Sequence, residues 1–212
     1  METPVNGARI REHLHYNLWK YILLAIVCCV GWNLFFTVTT PRAPADKKLD
    51  VYIYAYADGD KAGAWLEATR LKEFPDQMEF NAMVVSPDET YGLMTLSTHL
   101  FSGEGDLVVL PRSIFQEYAG QGFFRELDGV EGVEDVLTAA GVNLERGWRK
   151  NRDAGERHLY GIPVKPLTLL QGWINSSEDY YIGIRAADAN PDNALALLKI
   201  MIREMLEVVG ES

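Results

Sequence analysis

Between Tyr21 and Val38 the chain reads YILLAIVCCVGWNLFFTV, eighteen residues without a charge, and no other stretch of the 212 residues resembles it. At about 1.5 Å per residue such a run reaches roughly 27 Å, close to the hydrocarbon thickness of a bilayer, so it is expected to form a single transmembrane helix. Trp19 and Tyr21 at one end, and Trp32, Phe35 and Phe36 toward the other, suit the aromatic belts of the two interfaces. The expected organisation is a tail over 1–20, a membrane helix over 21–38, a tether over 39–48 and one domain over 49–210. The apolar core exceeds the roughly 7–15 residues of a signal-peptide h-region, which favours an uncleaved anchor. Ala43-Pro44-Ala45 lies too far beyond Phe36 for a cleavage site.

Flanking charge does not orient the span. Arg9, Arg11 and Lys20 stand on one side against Arg42, Lys47 and Lys48 on the other. A short tail inside and a large domain outside is the commoner arrangement for one N-terminal span. An extracytoplasmic domain on the cell membrane is therefore the expectation.

Three of the 20 Lys and Arg and two of the 30 acids precede Pro41, so the tethered domain sets 17 cations against 28 acids. Such acidity argues against nucleic acid and anionic lipid surfaces as partners. Both cysteines, Cys28 and Cys29, fall inside the span. The domain thus has no disulfide, no thiol nucleophile and no thiolate zinc site.

LDVYIYAYA (Leu49 to Ala57) opens the domain, with Val51, Ile53 and Ala55 on one face and Tyr52, Tyr54 and Tyr56 on the other. Two apolar faces describe a strand sandwiched between helices. Lys61 to Phe74 reads as a helix capped by Asp60 and stopped by Pro75, and Met78 to Val85 as a strand. Ser86, Pro87 and Glu89 resemble a capping box for a helix carrying Leu93, Leu96, Leu100 and Phe101 on one side. Asp106 to Leu110 reads as a third strand and Ser113 to Ala119 as a short helix. This β-α-β-α-β-α order predicts an α/β fold, a helix-covered and mostly parallel sheet. Farther on, Glu131 to Ala140 suggests a short helix, and the basic run Arg146 to Arg157 reads as a solvated connection, the alternative being a cluster that meets an anionic partner. Tyr160 to Val164 and Tyr180 to Ala186 are strand-like. Asn190-Pro191-Asp192 opens a final helix with Ala194, Leu197, Leu198, Met201, Ile202, Met205 and Val209 along one stripe.

No GxSxG elbow, phosphate-binding loop, dinucleotide fingerprint or HExxH occurs, and the domain carries only His99 and His158. Asp58-Gly59-Asp60 lacks the remaining oxygen ligands of a calcium loop and reads as a turn with a helix cap. The domain is read as non-catalytic, with no cofactor and no metal.

Several strings in this order resemble the extracellular solute-binding proteins of ABC importers. They are LDVYIYAY, FSGEGDLVVLP followed by FQEYAGQGFFRELD, HLYGIPV, and YYIGIRAADANPDNALALLKIM. The shared elements are a Gly-Asp entry to a buried strand, the turn Gly122 to Asp128, the Tyr160-Gly161-Ile162-Pro163 strand and the helix opening at Asn190 to Asp192. The resemblance implies one α/β lobe of a periplasmic-type protein. Members of that family are roughly twice this length, and their second lobe is largely inserted between the Tyr-Gly-x-Pro strand and the final strand. Here only Lys165 to Asp179, fifteen residues, join those elements, too few for a lobe.

A lone lobe offers an open face at the carboxyl ends of its strands. The candidate binding residues there are Tyr56, Asp58, Ser86, Arg112 and Trp173, with Tyr56 and Trp173 suited to stack on a sugar ring and Arg112 to pair with an anion. Two functions remain open. One is a tethered module presenting a sugar- or peptide-class solute weakly to an importer permease. The other is an assembly module that has lost solute binding and holds a membrane protein, a full receptor or another copy of itself as a homo-oligomer.

Overall fold

The computed structural model describes residues 7–39, 43–77, 79–87, 91–152, 155–165, 168–187 and 189–210. The chain divides into two units, Met1–Arg42 and Ala43–Ser212. In the first, one helix, α1 (Gly7–Thr39), starts well before the expected Tyr21. No proline or further glycine interrupts the residues between Gly7 and Tyr21, so nothing there stops a helix. Its Asn17–Thr39 portion, 23 residues of mean hydropathy 2.2, is long and apolar enough to cross a membrane. Near its end the Thr37 and Thr39 hydroxyls donate to the carbonyls of Asn33 and Phe35, at 2.8 and 2.6 Å. Such back-bonding satisfies side-chain polar groups inside an apolar helix. Part of the expected tether, 40–42, lies outside the described residues.

In the second unit a single turn of 3-10 helix, Ala45–Lys47, leads into β1 (Lys48–Tyr54). There follow α2 (Gly59–Glu73), β2 (Glu79–Val85), α3 (Gly92–Phe101), β3 (Leu107–Pro111) and α4 (Arg112–Gly120). Next come α5 (Glu134–Ala139), β4 (Trp148–Lys150), β5 (Arg157–Leu159), β6 (Ile162–Pro163), α6 (Thr168–Trp173), β7 (Tyr180–Ile184) and α7 (Pro191–Gly210).

The main sheet has the order β2-β1-β3-β7-β6. β1 pairs in parallel with β2 and β3, while β7 lies antiparallel to β3 and β6. Four strands thus run one way and β7 the other, a mostly parallel, helix-covered α/β sheet. The alternation in β1 divides the core as its sequence requires. Leu49, Val51, Ile53 and Ala55 pack with Ala62 and Leu66 of α2 and with Ala194, Leu197, Leu198, Met201 and Ile202 of α7. Tyr52 and Tyr54 pack on the opposite face with Leu96 and Leu100 of α3 and Phe115 of α4.

Several local expectations change. Asp58, not Asp60, caps α2: its carboxylate accepts the Lys61 amide at 3.1 Å, because the helix already begins at Gly59. α3 begins at Gly92 without a side-chain cap, while Glu89 of the expected capping box lies outside the described residues. On α3 only Leu96 and Leu100 of the expected stripe are buried; Leu93 and Phe101 are exposed. The side chains of Met205 and Val209 lie outside the described residues. The basic run expected as a plain connection contributes β4 and β5, which pair antiparallel as a separate two-stranded sheet.

The edge of the sheet where β1 and β3 begin is joined by side chains. Asp106 accepts the Asp50 amide through Oδ2 at 2.7 Å, its own amide donates to the Asp50 carbonyl at 2.8 Å, and its Oδ1 faces Arg185 Nη2 at 3.6 Å. Arg185 follows β7 and also donates from Nε to the Gly105 carbonyl at 3.1 Å. Gly105 holds φ at +84°, and a Cβ there would lie 2.9 Å from Tyr52 Cβ, so the turn into β3 requires glycine. Asp50, Asp106 and Arg185 are all buried.

A second joint explains the Leu127-Asp128 turn. The Leu127 amide donates to the Leu159 carbonyl at 2.7 Å and the Leu159 amide to Asp128 Oδ1 at 3.0 Å. Asp128 Oδ2 meets His158 Nδ1 at 3.0 Å. That hydrogen bond, above all, raises the His158 pKa from its ordinary 6.5. Burial opposes ionisation of Asp128, yet its bonds to His158 and the Leu159 amide outweigh it and leave the carboxyl below its ordinary 3.8.

Replacing Asp106 with alanine leaves the buried Arg185 without its anion. The expected cost is about 3–5 kcal/mol, read as a Tm lowered by roughly 10 °C in thermal unfolding. The His158–Asp128 pair gives a pH signature. His158 is raised, so its contribution is complete below pH 6.5 and lost as pH climbs through the folded value; Asp128 is lowered, so its contribution is present above 3.8 and lost as pH falls through its own. Thermal melts of His158→Gln are expected to lose the wild-type decline on the alkaline side of 6.5, with the acid side retained in part.

Candidate functional site

After Tyr54 the chain leaves β1 and meets the end of α6. The Asp58 amide donates to the Trp173 carbonyl at 2.8 Å, the Asn175 amide to the Tyr56 carbonyl at 2.7 Å, and Ala57 bridges Ile174 in antiparallel fashion. These contacts join segments more than a hundred residues apart at the carboxyl ends of β1 and β2. They border a cleft of about 580 Å³, whose lining includes Tyr56, Asp58, Lys61, Ser86, Trp173 and Asn175. Four of the five candidate residues therefore meet in one place. Ligand clefts of open α/β sheets favour this end of the strands.

The residues of the cleft have different parts. Tyr56 is 41% exposed and presents its ring at the rim. Trp173 is only 4% exposed, and its ring packs against Trp65 with centroids 5.4 Å apart. Trp65 in turn donates from Nε1 to Glu204 of α7 at 3.0 Å. Trp173 is thus the floor of the cleft rather than the ring-stacking platform its residue type suggested. Asp58 combines its helix cap with an ion pair to Lys61 Nζ at 3.0 Å. The side-chain bond from Lys61, then that from the Lys61 amide, hold its carboxyl below the ordinary carboxylate range. An ionised carboxylate and its ammonium partner therefore stand beside an aromatic ring, an arrangement able to hydrogen-bond polar groups of a solute.

Arg112 lies elsewhere. It opens α4 after β3, and its amide donates to the Asp179 carbonyl at 2.8 Å. Around it stand Arg149, Asp179 and Tyr181, whose ionisation its charge affects. Lys61 and Asn175 were missed in the sequence. Lys61 is legible in hindsight as the residue three beyond Asp58, whereas the place of Asn175 depends wholly on the pairing with Tyr56. Among the described residues no three His, Cys, Asp or Glu side chains cluster so as to hold a metal ion.

No protein-family profile matches this sequence, and no curated protein does. Among solved structures the fold is similar to an extracellular solute-binding protein family 1 from Alicyclobacillus acidocaldarius subsp. acidocaldarius DSM 446, at 21% identity and a TM-score of 0.42 over 55% of this chain and 27% of that one. It is also similar to an ABC substrate-binding protein from Listeria monocytogenes in complex with cycloalternan, at 17% identity and a TM-score of 0.38 over 55% of this chain and 28% of that one. The chain spans little more than a quarter of the length of either.

The cleft separates surface from floor in a way that mutagenesis reads directly. Trp173→Ala is expected to cost about 3–5 kcal/mol in denaturant unfolding. Tyr56→Ala, on the exposed rim, is expected to stay within about 0.5 kcal/mol of the parent.

Proposed function

We propose that this chain is a membrane-anchored, non-catalytic and extracytoplasmic binding module related to the solute-binding proteins of ABC importers. It takes a small solute of the sugar or peptide class weakly in the Tyr56–Trp173 cleft and assists an importer permease. The observation that supports this reading is the cleft at the carboxyl ends of β1 and β2, lined by Tyr56, Asp58, Ser86 and Trp173. The sequence resemblance to those proteins agrees with it, and Asn17–Thr39 suits an anchor.

The join from β6 to β7 is filled by α6 and its flanks, which leaves no room there for an opposing lobe. Two-lobed receptors bind by hinge closure, which removes the ligand from water on both sides. A ligand in this cleft keeps one side hydrated, so less of its surface is buried against the entropic cost of binding. Low affinity follows.

A second reading has its own support. Tyr91, Leu93, Met94 and Phe101 are exposed large side chains on or beside α3. Exposed apolar clusters favour protein contacts, which fits a module that has lost solute binding and holds a membrane protein or another copy of itself.

The test is a fluorescence titration of the full chain in neutral detergent, since Trp173 lines the cleft and packs against Trp65. Sugars, amino acids and short peptides are added up to millimolar concentrations. One class is expected to change the emission with half-saturation in the millimolar range, and Tyr56→Ala is expected to weaken it. Micromolar affinity for a monomer would overturn the one-sided mechanism. Silence toward every class, together with a stoichiometric membrane protein retained through purification, would replace this reading by the second. Protease added outside intact, wall-stripped cells should digest the domain; protection until lysis would reverse the proposed topology.

A further inference from the structure

The main sheet ends differently on its two sides. Its order is β2-β1-β3-β7-β6, so β2 and β6 are the edge strands. β6 is two residues long and closes on Pro163, which has no N–H to offer a further strand. β2 has seven residues, Glu79–Val85, and none is proline, lysine or arginine. Among the described residues it pairs with β1 and with no other strand. Asn81 to Val85 are half-buried, whereas Leu49 to Tyr54 of β1 are buried. A long edge whose one charge stands at its first residue presents a row of outward N–H and C=O groups, a template for a further strand.

The helix beside this edge is apolar on its outer face as well. Met83 and Val85 of β2 pack with Leu96 and Leu100 of α3, while Phe80, Ala82 and Val84 belong to the core on the opposite face. From Gly92 to Phe101, α3 has no Asp, Glu, Lys or Arg, yet Leu93, Met94 and Phe101 are exposed, Phe101 by 75%. In a domain of 17 cations and 28 acids, β2 and α3 carry Glu79 as their one formal charge. That selects the occupant, because two copies of so acidic a domain repel unless they meet where charge is missing. Antiparallel pairing of β2 with its own copy about a two-fold axis uses all seven residues in one register only. Ala82 then faces itself, Phe80 faces Val84 and Glu79 faces Val85. An aromatic opposite a β-branched residue stabilises a strand pair. The two Glu79 carboxylates fall at opposite ends of the ladder, about 20 Å apart along it and beyond a screening length of about 8 Å.

We propose that β2 is the seam of a homodimer, in which two copies of this chain join edge to edge, the five strands of each continuing into those of the other. Directly paired residues share a face, so the two α3 helices lie on the same side of the joined sheet. The inference takes up the second reading above, naming its partner as another copy of this chain, and does not depend on solute binding in the Tyr56–Trp173 cleft.

The test introduces Ala82→Cys into the full chain in neutral detergent, with Cys28→Ser and Cys29→Ser removing the native thiols. Opposed residues of an antiparallel pair have Cα atoms about 4.5–5.5 Å apart, within the reach of a disulfide. Mild oxidation is expected to give a covalent dimer, while Asp135→Cys, exposed on α5, gives none. Ala82→Lys sets two cations face to face at the axis and is expected to weaken the dimer at least about tenfold in sedimentation, with the circular dichroism of the parent retained. Solute titration of the same variant keeps the two sites apart, since the cleft is expected to respond as in the parent. A monomer at every concentration, a dimer that Ala82→Lys leaves intact, or equal crosslinking of Ala82→Cys and Asp135→Cys would overturn the seam. Release of a different membrane protein by Ala82→Lys would assign the edge to a foreign strand and overturn it too.

Discussion

The Asp106 carboxylate binds three strands that the rest of the domain depends on. Its two oxygens address the Asp50 amide in β1 and the Arg185 guanidinium beyond β7, while it stands itself at the entry of β3. β1 and β3 are parallel, whereas β7 returns antiparallel from a distant part of the chain, so no short turn sets their register. A buried charge network supplies what a hairpin loop would otherwise provide. Its benefit is specificity of register as much as free energy, because two charges taken from water recover their desolvation cost only in good geometry. Asn190 makes a related tie, donating from Nδ2 to the Lys48 carbonyl at 3.3 Å and to Gln77 at 3.1 Å, which sets the start of α7 against β1.

With one end of the strands held in this way, the other end is free to differ. There the backbone of 56–58 pairs with 173–175, and α6 closes the near side of the cleft. The pair Trp65 and Trp173 transmits the position of α2 to α6, and Glu204 of α7 joins through the Trp65 indole. The aromatic floor is therefore part of the core, while Tyr56, Asp58, Lys61, Ser86 and Asn175 supply polar groups along the cleft. One rim ring and one ion pair border this cleft, and the weak binding proposed above rests on that arrangement.

The same end of the sheet carries a second polar region, chemically unlike the first. β7, running against its neighbours, brings Asp179 and Tyr181 beside Arg112 at the close of β3. The small sheet of β4 and β5 then adds Arg149 from a segment whose sequence looks like an ordinary charged connection. Arg112 thus belongs with residues up to 69 positions away rather than with Tyr56 or Ser86.

Much of this architecture was legible in the residues. The uncharged run ending at Val38 specifies an apolar helix, since eighteen such side chains find no other stable environment as easily. The two apolar faces of Val51–Ala55 and Tyr52–Tyr54 specify a strand with helices on both sides, and the stripe of α7 specifies a core helix. These signals are local periodicities, carried by neighbours in sequence. Helix starts were less legible: Asp58 and Asp60 are equally good caps by residue type, and only the path of the chain out of β1 selects the first. The direction of β7, the hairpin in the basic run, the burial of Trp173 and the separation of Arg112 from the cleft were decided by tertiary structure alone. Each depends on which distant segments share one surface, and hydrophobic period carries no information about that pairing.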